Sequence, residues 1–186
     1  PERLRMAQKS WTGTEDSHFS FDVRYDNKNM YIAVKIVDDS LVCTMNDTAA
    51  RPWTQDGIEI RLDARIDPYR SMNKGEHELD SFVLWGICPS AKGEKPILYE
   101  STLLPKESVV YTQFTKTGYE VEISLPLDYI RDRQGDQWNA IRLNIILDDN
   151  DGVVNDLSNA AQLQWKPDWR SKENYAGSGT FYKHLP

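Results

Sequence analysis

Apolar residues recur at every second position along several separate stretches of this chain, a period that fits half-buried strands and not amphipathic helices. Between positions 18 and 26, Phe19, Phe21, Val23 and Tyr25 alternate with Ser20, Asp22 and Arg24. Asp26-Asn27-Lys28-Asn29 then reads as a turn, because Asp and Asn tolerate left-handed backbone and bond their own main chain. Residues 30–37 follow as the second arm of a predicted hairpin. Residues 57–66 alternate again, with Ile58, Ile60 and Leu62 inward and Glu59, Arg61 and Asp63 outward. Along 118–125, Tyr119, Val121, Ile123 and Leu125 oppose Glu120, Glu122 and Ser124. Further strands are expected over 81–87, 97–101, 109–115, 141–147, 163–165 and 180–184. Pro126 opens the one helical turn the sequence supports, at 127–131.

Many short strands, little helix and long polar loops predict an all-β chain folded as an antiparallel two-sheet β-sandwich, jelly-roll or immunoglobulin-like. The 186 residues fit a single domain over 1–186. The longest irregular stretches, 39–54, 67–79 and 148–162, are where function or a bound metal is expected.

Composition narrows the function classes. A formal net charge of −7 with no basic tract excludes the phosphate-binding face that nucleic acid requires. No apolar run approaches the roughly 18 residues of a membrane span, so membrane insertion is not expected. The chain opens at Pro1, which suggests a piece excised from a longer secreted protein. Cys43 and Cys88 leave a disulfide and two buried thiols equally open. No G-x-S-x-G, H-E-x-x-H or P-loop occurs, and His18, His77 and His184 are isolated, so catalysis is not expected.

The groups left to carry chemistry are tryptophans, whose flat apolar faces can stack on a ligand, and carboxylates, which accept strong hydrogen bonds. Trp53 lies in a Pro/Thr/Gln loop rather than on an alternating face, which suits a ligand platform or a tryptophan folded over the sandwich edge. Trp165 and Trp169 are flanked by Lys166, Pro167 and Asp168 and are further candidates, whereas Trp11, Trp85 and Trp138 read as packing residues. Asp148, Asp149 and Asp151, with Asn150, gather oxygen ligands of the kind a hard cation such as calcium prefers. The same composition also makes an acidic turn.

Five segments in order carry a family resemblance. They are Trp11-Thr-Gly13-Thr-Glu-Asp16 with Tyr25-Asp26 ahead of Met30-Tyr31-Ile32-Ala33-Val34, then Val37-Asp38-Asp39, then Trp53-Thr-Gln-Asp56-Gly-Ile58-Glu59-Ile60-Arg-Leu62-Asp63, then Gly118-Tyr119-Glu120-Val121-Glu122-Ile123-Ser124-Leu125-Pro126, and last Asp148–Gly152 followed by Leu163-Gln164-Trp165. Together they resemble the family 9 carbohydrate-binding modules. The resemblance implies a non-catalytic β-sandwich that holds an oligosaccharide or polysaccharide between two tryptophans, often with structural calcium and no organic cofactor. It places Trp53 on the first tryptophan, Glu59 on a carboxylate that bonds sugar hydroxyls, and Trp165, with Trp169 as the alternative, on the second. An arginine that such modules carry on the following strand has no match in 78–87. The expected setting is secreted, extracellular or cell-surface/periplasmic: a monomeric module tethering an attached neighbouring domain to polysaccharide. The alternative is a structural sandwich that has lost sugar binding and orients its neighbour.

Overall fold

The structure is a computed structural model, and it describes residues 3–6, 10–43, 52–65, 82–88, 96–99, 104–153, 155–166 and 179–184, with the side chains of 3–6, 52, 82–88, 97 and 99 outside that description. In chain order the elements are β1 (Arg3–Met6), β2 (Ser17–Tyr25), β3 (Asn29–Asp38), a 3-10 turn (Pro52–Thr54), β4 (Gly57–Asp63), β5 (Phe82–Cys88), β6 (Ile97–Tyr99), β7 (Val109–Phe114), β8 (Gly118–Pro126), α1 (Asp128–Gln134), β9 (Ala140–Asn150), β10 (Ala160–Gln164) and β11 (Gly179–Tyr182). All pairings are antiparallel. One sheet has four strands in the order β2-β3-β8-β7; the other has seven, β1-β10-β9-β4-β5-β6, with β11 also on β9. This is the expected two-sheet sandwich.

Register makes the core. In the four-stranded sheet Met30, Ile32, Val34 and Ile36 stand opposite Leu125, Ile123, Val121 and Tyr119. In the seven-stranded sheet Ile58, Ile60 and Leu62 stand opposite Leu147, Ile145 and Leu143. These two inner faces form one buried apolar cluster, which Ala161 and Leu163 of β10 join. Burying a Leu, Ile or Val side chain stabilises by about 1.5–3 kcal/mol, so the inward parity of each strand is fixed strongly.

The elements differ from the sequence expectation at three places. β9 continues through Asp148, Asp149 and Asn150, residues expected in a loop, because their backbones pair with Ala160, Ala161 and Gln162. Turn-prone composition gives way where a ladder partner is present on the neighbouring strand. β1, Arg3-Leu-Arg-Met6, alternates over only four residues, and it is the pairing with β10 that identifies it as a strand. The helical turn at 127–131 is a longer helix, running to Gln134, where Gly135 at φ 81° ends it and donates its N–H to the Arg131 carbonyl at 2.6 Å. Among the described residues, no helix is long and apolar enough to cross a membrane.

Gly118 shows how tight the four-stranded sheet is. Its φ is +141°, and a Cβ there would lie 2.4 Å from the Ile36 carbonyl oxygen. Substitution Gly118→Ala therefore forces a rare backbone conformation against unyielding backbone. We expect it to destabilise the fold by about 1–3 kcal/mol in urea unfolding; a midpoint equal to wild type would show that the strand junction accommodates a side chain.

Candidate functional site

The outer face of the seven-stranded sheet carries a polar row. Strand parity turns Glu59 and Arg61 of β4, Asn144 and Asp148 of β9, and Gln162 and Gln164 of β10 away from the apolar core. The sequence pattern gives Glu59 and its neighbours as outward, and outward they are, but not solvated: Glu59 is 2% exposed and Arg61 3%. Periodicity reports which face a residue occupies and is silent on whether that face is covered. The two residues form an ion pair, Arg61 Nη2 to Glu59 Oε2 at 2.5 Å. Gln162 Nε2 donates to Glu59 Oε1 at 3.1 Å and to Asp148 Oδ1 at 2.8 Å, which links the row across three strands. Asn144 Oδ1 accepts from the Lys166 N–H at 3.1 Å and fixes the chain leaving β10. Arg61 supplies the cation that the sequence does not offer on β5, from the strand beside it.

The row is only partly satisfied. Among the described residues, Gln162 Oε1 has no hydrogen-bond partner, and neither amide atom of Gln164 has one although the residue is fully buried. A buried amide left unpaired costs about 1–3 kcal/mol, so these groups mark a place where partners are wanted. Neither glutamine is singled out by the sequence; the signal is their parity with Glu59 once the register of β9 and β10 is known.

Trp53 sits in the 3-10 turn just ahead of β4 and is partly exposed. The turn is tied to the end of β9: Asn150 Nδ2 donates to the Thr54 carbonyl at 2.6 Å, and the Thr54 hydroxyl bonds Asn155 Oδ1 at 3.3 Å. Trp165 goes elsewhere. It shares the inward parity of Ala161 and Leu163, and its ring meets Phe21 edge-on at 4.9 Å and Phe181 at 5.5 Å between centroids. Gly179 presses on it so closely that a Cβ there would lie 1.9 Å from the Trp165 ring. Trp165, expected to pair with Trp53, is partly exposed and packs between inner-face aromatics, with the parity opposite to that of Glu59. Trp169 lies outside the described residues. Trp11 and Trp138 pack as expected, against the core and within it respectively, and the Trp85 side chain is outside the description.

A second cluster lies at the end of the sandwich, on the inner face. Carboxylate oxygens of Asp16, Asp149 and Asp151 lie within 4.8 Å of one another, as do those of Asp38, Asp56 and Asp149. Asp149 shares the parity of Leu147 and so points between the sheets, whereas Asp148 points to the polar row. Asp148 therefore leaves the expected metal set, and Asp16, Asp38 and Asp56 enter it from distant segments. Among the described residues, one oxygen of Asp38 and one of Asp151 have no hydrogen-bond partner, and Asp149 faces only the Ser17 hydroxyl. Burial, then Asp38 and Asp151, push the Asp149 carboxyl up to about 7. Burial is the main cause that raises Asp38 to about 6, and burial followed by Asp38 pushes Asp56 well above the usual carboxylate range. Mutually repelling, partly unpartnered carboxylates suit an oxygen-seeking divalent cation.

The sequence profile described as "Carbohydrate family 9 binding domain-like" matches residues 3–175. The chain belongs to that family. Family 9 domains bind carbohydrate and are non-catalytic. Two similar solved structures are a family 9 module from Caldicellulosiruptor kristjanssonii in complex with cellotriose and one in complex with glucose. The first is 15% identical at a TM-score of 0.64, covering 92% of this chain and 77% of that one. The second is 14% identical at 0.64, over 97% and 83%. A protein from Bacteroides uniformis is 11% identical with a TM-score of 0.56, over 97% of this chain and 85% of that one. No curated protein matches the sequence. At these identities the solved structures establish a shared fold.

The ion pair dictates how this family 9 site should be probed. Glu59→Ala leaves Arg61 as a buried charge without its carboxylate, and breaking such a pair costs about 3–5 kcal/mol. Glu59→Gln keeps an acceptor in place. Glu59→Gln also removes the charge, so we expect both variants to lose stability in thermal unfolding, Glu59→Ala more; losses near zero in both would mean that the pair contributes little to the fold.

Proposed function

We propose that this family 9 domain binds oligosaccharide or polysaccharide through the polar row Glu59, Arg61, Gln162 and Gln164, with Trp53 as an aromatic platform at its end. The observation that carries the reading is the unsatisfied Gln164 amide beside the Glu59–Gln162 bond. An amide offers both donor and acceptor, and a carboxylate accepts strong bonds, which together complement adjacent sugar hydroxyls. Partial exposure of Trp53 supports its role as a stacking face. The expected second tryptophan becomes Trp169, because the ring of Trp165 is engaged with Phe21 and Phe181. No step of bond making or breaking is assigned: the site holds its ligand. In a longer secreted protein such a module raises the effective concentration of an attached enzyme or surface protein on polysaccharide.

Asp16, Asp38, Asp56, Asp149 and Asp151 fit a structural calcium ion, which would supply charge neutralisation between the two sheets. The buried Asp149 oxygens, faced only by the Ser17 hydroxyl among the described residues, support that fit. One observation favours a second reading, a structural module without sugar binding: Glu59 is already ion-paired and buried.

Calorimetric titration with glucose, cello-oligosaccharides and xylo-oligosaccharides tests the choice. We expect a saturable heat for wild type, and for Trp53→Ala at least a tenfold weaker affinity with an unchanged melting temperature. Silence across the panel from folded protein would select the structural module. For the cation, calcium at about one hundred times its Kd adds about 2.7 kcal/mol of stability. In a domain of this size that corresponds to a rise of about 5–10 °C over chelated protein in a melting scan. An unchanged melting temperature would remove calcium from the acidic cluster.

A further inference from the structure

The acidic cluster and the sugar-binding row lie on opposite faces of the same sheet, and one short segment belongs to both. Trp53, Asp56 and Glu59 are three residues apart in turn. Asp56 shares the parity of Ile58 and Ile60 and meets Asp38 and Asp149 on the inner side. Glu59 has the other parity and stands in the polar row. Trp53 is carried on the turn that Asp56 anchors.

That anchoring is concentrated on one carboxylate. Asp56 Oδ1 accepts the Asn150 N–H at 2.7 Å, its other oxygen accepts the Val42 N–H, and its own N–H donates to the Val42 carbonyl at 2.9 Å. The three carboxylates facing each other there are not equally held. Asp38 is the last residue of β3, where its register partner is Ser17, and Asp149 is held in β9 opposite Ala161. Asp56 precedes β4 and has no ladder of its own. Of the three, Asp56 is the one whose segment also carries Trp53, so a cation that draws the three carboxylates together acts on that turn. The cluster has the further mark of an ion site: Asp149 is 2% exposed, and among the described residues only the Ser17 hydroxyl faces its two buried oxygens.

We propose that a divalent cation bound between Asp38, Asp56 and Asp149 fixes the turn bearing Trp53, so that cation occupancy governs the geometry of the sugar platform. The link to sugar rests on the binding role proposed above for Trp53; the link from cation to turn does not. Because coupling between two binding sites is reciprocal, sugar would tighten the cation to the same degree that the cation tightens sugar.

Calcium alone is the first probe. Tryptophan fluorescence is titrated with calcium in wild type and in Trp53→Phe, both checked as folded by circular dichroism in chelator. The expected result is a saturable change in wild type that is largely lost in Trp53→Phe. The same change in both proteins, or no calcium binding by direct calorimetry, overturns the proposal. Cellotriose is the second probe, titrated with calcium and then with chelator. A dissociation constant at least fivefold weaker in chelator, and calcium bound correspondingly tighter with cellotriose present, is the expected coupling. Equal cellotriose affinity in the two conditions, with calcium binding measured, overturns the coupling and leaves the sugar site standing. A Trp53-specific calcium response without any cellotriose heat supports the cation-fixed turn and removes cellotriose as the ligand. Asp56→Asn should lose the response of Trp53 to calcium; a full response in that folded variant overturns the proposal.

Discussion

Strand β9 is hydrogen-bonded along both edges, to β4 on one side and to β10 and β11 on the other, and this pairing leaves it no rotational freedom. Its parity is set by Ile141, Leu143, Ile145 and Leu147, all buried in the core. A slip of one residue would carry these four to the polar face and bring Asn144 and Asp148 inward, at a cost of many kcal/mol. The consequence runs past the apolar stretch. Once Leu147 points in, Asp148 must point out and Asp149 in, and the two adjacent aspartates serve different faces of the sheet.

Both faces then bear buried polar groups, and the two are stabilised differently. On the outer face Glu59 is compensated by Arg61 and Gln162, so its charge is balanced within hydrogen-bonding distance. On the inner face five carboxylates converge in two groups that share Asp149, and burial raises Asp38 and Asp149. The first arrangement is a closed network with spare amide capacity at Gln162 and Gln164. The second is an open one that calls for external positive charge. That contrast is why one reads as a site for a neutral polyol and the other as a site for a cation.

Much of the fold is legible because alternation survives in β2, β3, β4 and β8, where each inward residue is apolar. β1 alternates too, but over four residues only, the shortest run that carries a period of two, so its pairing with β10 is what reveals it. The end of β9 reads as a turn because Asp and Asn favour turns, and only the partner strand β10 shows otherwise. The site is less legible. Trp53 and Glu59 are recoverable from motif and parity, but Asp16, Asp38 and Asp56 come from three other segments, and sequence distance hides their convergence on Asp149 and Asp151. Trp165 could have been placed from parity: Leu163 faces in, hence Gln164 faces out and Trp165 in. The family pattern, read alone, favours the tryptophan; the register of β10 selects the glutamine.

Parity also explains how two binding chemistries can occupy one thin sheet without interfering. The odd spacing of Asp56 and Glu59 puts them on opposite faces, just as the odd spacing of Asp148 and Asp149 does on the neighbouring strand. The sheet's backbone separates the carboxylate cluster from the polar row, so a cation held on the inner side would neutralise the aspartates and leave Glu59 with Arg61. What passes between the faces is position rather than charge. The segment entering β4 is short, pinned by Asp56 and Asn150, and carries the exposed ring of Trp53 at its start. A displacement too small to disturb the ladder of β4 is still large on the scale of ring stacking, where contact is lost within a fraction of an ångström.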